Sequence, residues 1–157
     1  MDNELKQELT RRISQANKGE LILVMYDIYF AYSDDAKKAL ETDDRNAFKT
    51  GIRNTQESLD ELIKSLDFTY DLSNQLFKLY SYCKKQLSKA IYEAKADKIL
   101  ESDKIMKRLR DSFEVVAIAD KSEPLMANTQ KVYAGFTYGR TQLTENCMDG
   151  THRGFFA

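Results

Sequence analysis

The ten residues from Leu21 to Phe30 contain a single polar side chain, Asp27, in a chain that is 31% charged. On a helix, at about 100° per residue, Leu21, Met25, Ile28 and Tyr32 fall along one face while Ile22, Leu23, Tyr26 and Phe30 fall on another. A helix that is apolar on two faces cannot lie with one of them in water. Each large side chain left exposed forgoes roughly 1.5–3 kcal/mol of burial, so the second stripe demands cover from another segment or another protein. Such a demand points to a binding module before it points to an enzyme.

The rest of the composition fits long helices. The chain has 157 residues, enough for one domain, with one proline, Pro124, and six glycines. Its formal charge of -1 leaves no overall field to draw nucleic acid or anionic lipid, and the pairs Arg11-Arg12, Lys37-Lys38 and Lys84-Lys85 read as solvated faces. The longest apolar run is too short to span a bilayer, so no membrane insertion is expected. The opening Met-Asp-Asn-Glu lacks the basic start of a secretory signal, and Cys83 and Cys147 form no disulfide pattern. A cytoplasmic location with free thiols is expected.

Asn17 followed by Glu20 has the layout of a capping box, so a helix is predicted from near Lys18 to about Leu40. After the polar link Glu41–Asp44, in which Asp43 or Asp44 can cap, a second helix carries the stripe Phe48, Ile52, Thr55, Leu59, Leu62, Ile63 and Leu66. A third helix, from about Leu72, places Leu72, Leu76, Leu79, Cys83, Leu87 and Ala90 on one face, with Phe77 and Tyr92 off it, and ends before the capping candidate Asp97. A fourth carries Ile99, Met106, Leu109, Phe113, Val116 and Ala117, leaves Leu100, Val115 and Ile118 off its face, and stops before Pro124.

The short links imply an all-α, antiparallel up-down-up-down four-helix bundle over residues 17–123. Residues 1–16, with Leu5, Leu9 and Ile13 at helical spacing, are either a short N-terminal helix on the bundle or a flexible arm. Residues 124–157 form a C-terminal extension, with a helical turn allowed over Leu125–Tyr133 and a glycine-bearing, mobile remainder.

No catalytic set, metal site or cofactor motif is found. A di-iron bundle needs inward Glu-x-x-His pairs, whereas the only histidine, His152, lies in the glycine-bearing tail. Phosphate loops, nucleophile elbows and Cys-x-x-Cys pairs are absent from the sequence. The alternation of Glu101, Asp103 and Asp111 with Lys104, Lys107, Arg108 and Arg110 reads as a salt-bridged solvent face.

Several blocks together resemble the flagellar secretion chaperone FliS family. Ala16-Asn17-Lys18-Gly19-Glu20-Leu21 running into Val24-Met25-Tyr26-Asp27 is similar to the family's Ala-Ser-Pro-x-Glu-Leu and Met-Leu-Tyr-Asp. Glu41-Thr42-Asp43-Asp44 resembles its first interhelical turn, and Gln56 to Leu59 with Glu61-Leu62 its second helix. Leu76, Leu79-Tyr80-Ser81-Tyr82 and Leu87 to Ala90 resemble its third helix, and Leu109-Arg110-Asp111-Ser112-Phe113 its Leu-Arg-x-Ala-Trp. Lys18 stands where the family has proline, Ile28 and Tyr29 where it has small residues, and Phe113 where it has tryptophan.

The resemblance implies a cytoplasmic bundle that grips the disordered C-terminal region of flagellin, blocks its premature polymerisation and helps deliver it to the flagellar export gate. With the off-stripe apolar residues, it makes Ile22, Leu23, Tyr26, Phe30, Phe77, Tyr80 and Ile118 the expected partner contacts. On that reading Tyr26→Asp and Phe30→Asp weaken client binding and spare the fold, while Leu59→Asp unfolds the bundle. The apolar residues Leu5, Leu9 and Ile13, or Val132, Tyr133, Phe136 and Tyr138, are candidates to fill the groove in the free protein. The competing reading is a structural homo-oligomer, in which the same residues bury against a second copy, and a homodimer of the free chain is compatible with both.

Overall fold

A computed structural model of the chain describes residues 1–126. The expectations of a helical turn reaching Tyr133 and a mobile remainder, and those for Cys147 and His152, lie outside the described residues. Within them the fold is all-helical, with five helices and no strand: α1 (Asn3–Gln15), α2 (Lys18–Glu41), α3 (Arg45–Lys64), α4 (Asp71–Glu93) and α5 (Asp97–Ala119).

Local chemistry sets most boundaries. The Asn17 side chain accepts from the Glu20 amide at 2.9 Å, and the Glu20 carboxylate accepts from the Asn17 amide at 3.0 Å, a complete capping box. Asp2 caps α1 and Asp44 caps α3, each accepting from backbone amides of the first turn. The turn between α2 and α3 places Asp43 at φ 55, and α4 ends at Ala94 in the left-handed region, φ 52. Asp97 does not cap α5. That position belongs to Ala96, and Asp97 stands in the first helical turn, where its charge favours the helix dipole.

The helices form a bundle in which α2 packs on α3 and α5, α4 packs on α3 and α5, and α1 lies on α2. Along the α2–α5 seam, the Gly19 amide donates to Asp120, Arg110 donates to Asp27, Tyr29 meets Ser102, and Lys37 donates to Asp103. The core centres on Tyr26, Tyr29, Ile52, Leu59, Leu62, Tyr80, Leu87, Ile99 and Met106.

The two apolar faces of α2 are explained by this central position. Tyr26 is 0% exposed, with its ring 5.7 Å from that of Phe113 on α5, and Ile22 and Phe30 pack against the core. The expected uncovered stripe is therefore covered in part within the chain, Tyr26 wholly and Ile22, Leu23 and Phe30 by half. Arg12 of α1 reaches Asp27 at 2.7 Å and the amino group of Met1 pairs with Asp35, so α1 lies along the remaining side of α2. Ile28 and Ala31, on the same side between these ion pairs, are half-buried.

The phase of α4 differs from expectation. Leu72 and Leu79 are exposed, while the buried series runs Ser73, Leu76, Tyr80, Cys83, Leu87 and Ala90. Steps of three and four residues put this series on one face; the sequence reading favoured leucine over serine and tyrosine at its edges. On α5 Val116 is exposed where it was expected inside, because Ala117 makes the close approach to α2: a Cβ on Gly19 would stand 2.9 Å from the Ala117 Cα.

Candidate partner-binding surface

The seven expected contact residues divide into three groups. Tyr26 and Tyr80 are sealed in the core, with their hydroxyls 2.7 Å apart, and no partner reaches them while the bundle is closed. Their expected role as surface contacts is corrected by this burial. Ile22, Leu23 and Phe30 are half-buried on α2. Phe77 and Ile118 are exposed, the latter at 78%. The structure thus brings Tyr26 and Tyr80 together and leaves Phe77 and Ile118 open on different helices.

Burial pushes the Tyr26 phenol well above the ordinary tyrosine range and raises that of Tyr80, so both hydroxyls stay protonated and bond to each other. Replacing Tyr26 with Phe orphans the Tyr80 hydroxyl. The expected result is a loss of about 1–2 kcal/mol of stability in urea unfolding, with the fold intact. A second polar node lies between α2 and α5: Tyr29 and Ser33 donate to the Asp103 carboxylate at 3.0 and 2.8 Å, and Lys37 joins at 2.9 Å. Partial burial works against the Lys37 ammonium, but Asp34 and Asp103 outweigh it and hold its pKa above the usual lysine value. Burial also raises the Cys83 thiol, which makes it a poor nucleophile.

Open apolar surface lies elsewhere. Phe68, in the link between α3 and α4, packs edge-on to Phe77 with ring centres 6.0 Å apart, and Tyr70 and Leu72 are exposed close by in sequence. Val115, Val116 and Ile118 leave the end of α5 apolar, and the chain continues to exposed Leu125 and Met126. Large exposed apolar side chains grouped in this way mark contact surfaces. Sequence reasoning missed Phe68 and Leu72. An aromatic set between the polar Asp67 and Thr69, outside any helical stripe, was the available signal for the first.

The end of α5 is tied back to the start of α2. The Asn17 side-chain amide donates to the carbonyl of Asp120 at 3.2 Å, the Leu125 amide donates to the Ala16 carbonyl at 3.0 Å, and Asp120 accepts from Gly19 and Ser122. The hydrogen bonds from Ser122 and Gly19 hold the Asp120 carboxyl below its ordinary pKa.

A polar recess between α1, α2 and α3 is lined by Lys6, Tyr32, Asp35, Thr50 and Asn54. Among the described residues no group of three or more His, Cys, Asp or Glu side chains is placed to hold a metal ion, and no helix is long and apolar enough to cross a membrane. The geometry is that of surfaces and helix seams.

A search of curated proteins finds no match. A family model described as flagellar protein FliS matches residues 1–120, a span that contains all five helices. With three quarters of its length matched in one continuous stretch, this chain belongs to the FliS family of flagellar proteins.

Proposed function

We propose that this chain is a cytoplasmic flagellar export chaperone that binds the disordered C-terminal segment of flagellin, prevents its premature polymerisation and assists type III secretion. The observation that carries the reading is the family match over residues 1–120. The scaffold we infer is an antiparallel up-down-up-down four-helix bundle of α2 to α5. In its support, residue numbers rise along α2 from Gly19 to Lys37 while their partners on α5 fall from Asp120 to Asp103.

In this reading Phe77 and Ile118 touch the client directly, and Ile22, Leu23 and Phe30 form the edge available on α2. Tyr26 and Tyr80 act from inside by holding α2 and α4 in register. No cofactor, nucleic acid or catalytic step takes part, and the export gate is the second protein the chaperone meets. A disordered segment folding onto helices buries apolar surface, so titration calorimetry with a flagellin C-terminal peptide is expected to show one-to-one binding and a markedly negative heat-capacity change. No heat at micromolar concentrations with the folded chain overturns the proposal.

The exposed Val115, Val116 and Ile118 also favour a second reading, self-association of the free chain. The mass in solution separates the two: a peptide that converts a dimer into a one-to-one complex supports the chaperone. The helix α1 bears on both. It docks through buried Leu9 and the Arg12–Asp27 ion pair and leaves Leu5 exposed, a small interface for a tethered segment. Deleting residues 1–12 is expected to tighten peptide binding or increase self-association, measured by calorimetry and sedimentation. Unchanged values for both exclude a masking role for α1.

A further inference from the structure

The near-neutral total charge conceals two unlike halves. Residues 1–64 hold ten Lys and Arg against thirteen Asp and Glu, whereas residues 71–119 hold ten against seven. From Leu72 to Tyr92 there are four lysines and no acid. Lys84 is paired with Asp60 of α3. Lys78, Lys85 and Lys89 are exposed and form no ion pair among the described residues, whose pairs in this half use Lys84, Lys98 and Arg110.

These three lysines fall within about 40° of one another on the outer side of α4. Lys78 and Lys85 are separated by two turns, ~10.5 Å along the axis, and Lys89 lies ~6 Å further on. The stripe is not purely charged. Leu79 and Tyr82 are exposed along its α5 edge, and the Tyr82 hydroxyl donates to Glu101 at 2.7 Å, which fixes the ring. Tyr92 ends the stripe at 93% exposed. On α5, Lys104, Lys107 and Arg108 are likewise exposed and unpaired among the described residues, where the alternation of charge had predicted a salt-bridged face.

A plain solvated helix face carries both signs in alternation. Here one sign dominates and apolar side chains stand beside it. We propose that the outer face of α4 is a docking surface, independent of the client reading, for an acidic helical segment of another protein. The segment runs along α4 with carboxylates a heptad apart opposite Lys78 and Lys85 and apolar residues against Leu79 and Tyr82. Unpaired lysines at such a rim speed encounter and select partners by charge. A nucleic acid fits less well, because its closely spaced phosphates call for a continuous run of cations, which Leu79 and Tyr82 interrupt here. A second copy fits less well, because Asp27, Asp35 and Asp60 of its acidic half are already held in ion pairs by Arg12, the Met1 amino group and Lys84.

The probe is a fluorescein-labelled peptide of three Leu-Glu-Ala-Leu-Glu-Gln-Glu heptads, followed by anisotropy with the full chain. Salt-sensitive binding is expected, weakened about tenfold or more by combining Lys78→Glu, Lys85→Glu and Lys89→Glu, and weakened further by Tyr82→Ala. Reversing Lys38, Lys49 and Arg53 on the acidic half should change it by no more than about twofold. Circular dichroism verifies each fold, and Gln replaces Glu in any triple variant that fails to fold. The proposal is overturned if the peptide does not bind or if both triple variants lose it equally. It is also overturned if the stripe instead supports self-association, or binds an oligothymidine or phosphatidylserine vesicles more tightly than the peptide.

Discussion

Tyr26→Asp is expected to unfold the chain as completely as Leu59→Asp. Both side chains are 0% exposed in the same cluster, and a carboxylate at either place is dry and without a cation. Losing a large buried side chain costs about 3–5 kcal/mol, and an unpaired buried charge several more, against a total stability of ~5–15 kcal/mol for a domain of this kind. Tyr26 also loses its hydrogen bond to Tyr80. The sequence reading separates the two variants, with Tyr26→Asp affecting the client alone; the structure joins them. Phe30→Asp, at a half-buried site, should leave a folded protein of reduced stability. Urea unfolding by circular dichroism checks all three, and a native-like transition for Tyr26→Asp would contradict the burial of its ring.

Gly51→Leu is the second large effect. A Cβ added at Gly51 stands 2.9 Å from the backbone nitrogen, Cα and Cβ of Ala36, none of which can swing away. The helices α2 and α3 must then separate along their whole seam. A loss of about 3 kcal/mol or more is expected in urea unfolding. Even Gly51→Ala, which gains about 1 kcal/mol of helix propensity, should come out destabilised. Arg53→Leu, exposed on the same helix, should change stability by no more than ~0.5 kcal/mol. Equal stability of the Gly51 and Arg53 variants would mean that the seam is looser than this spacing requires.

What the sequence made legible is what a few neighbouring residues decide. The Asn17–Glu20 box was readable, and the Asp44 cap as one of two neighbouring choices, because each donor and acceptor lies within one turn. The buried stripe of α3 was readable because its polar residues leave no second choice. The phase of α4 was not, since Tyr80 earns its buried place from Tyr26, 54 positions away, and no local pattern reports that bond. The same holds for Asp103, which resembled a surface acid until Ser33 and Lys37 closed over it. For the candidate surface, Phe77 and Ile118 were visible as residues off their stripes. The accessibility of Leu72 and the concealment of Tyr26 depend on which helices stand beside them.

The Asn17 side chain gives the fold an unusual economy. Its oxygen starts α2 and its nitrogen holds the chain leaving α5, so one amide group serves as the first clasp and the last. The helices α2 to α5 are thereby joined into a closed ring. Fraying, which in an open row of helices begins at the terminal element and stops there, cannot remain local at this junction. Release of Asp120 strips a partner from the residue that opens the central helix, and the disturbance is shared by both ends of the domain at once.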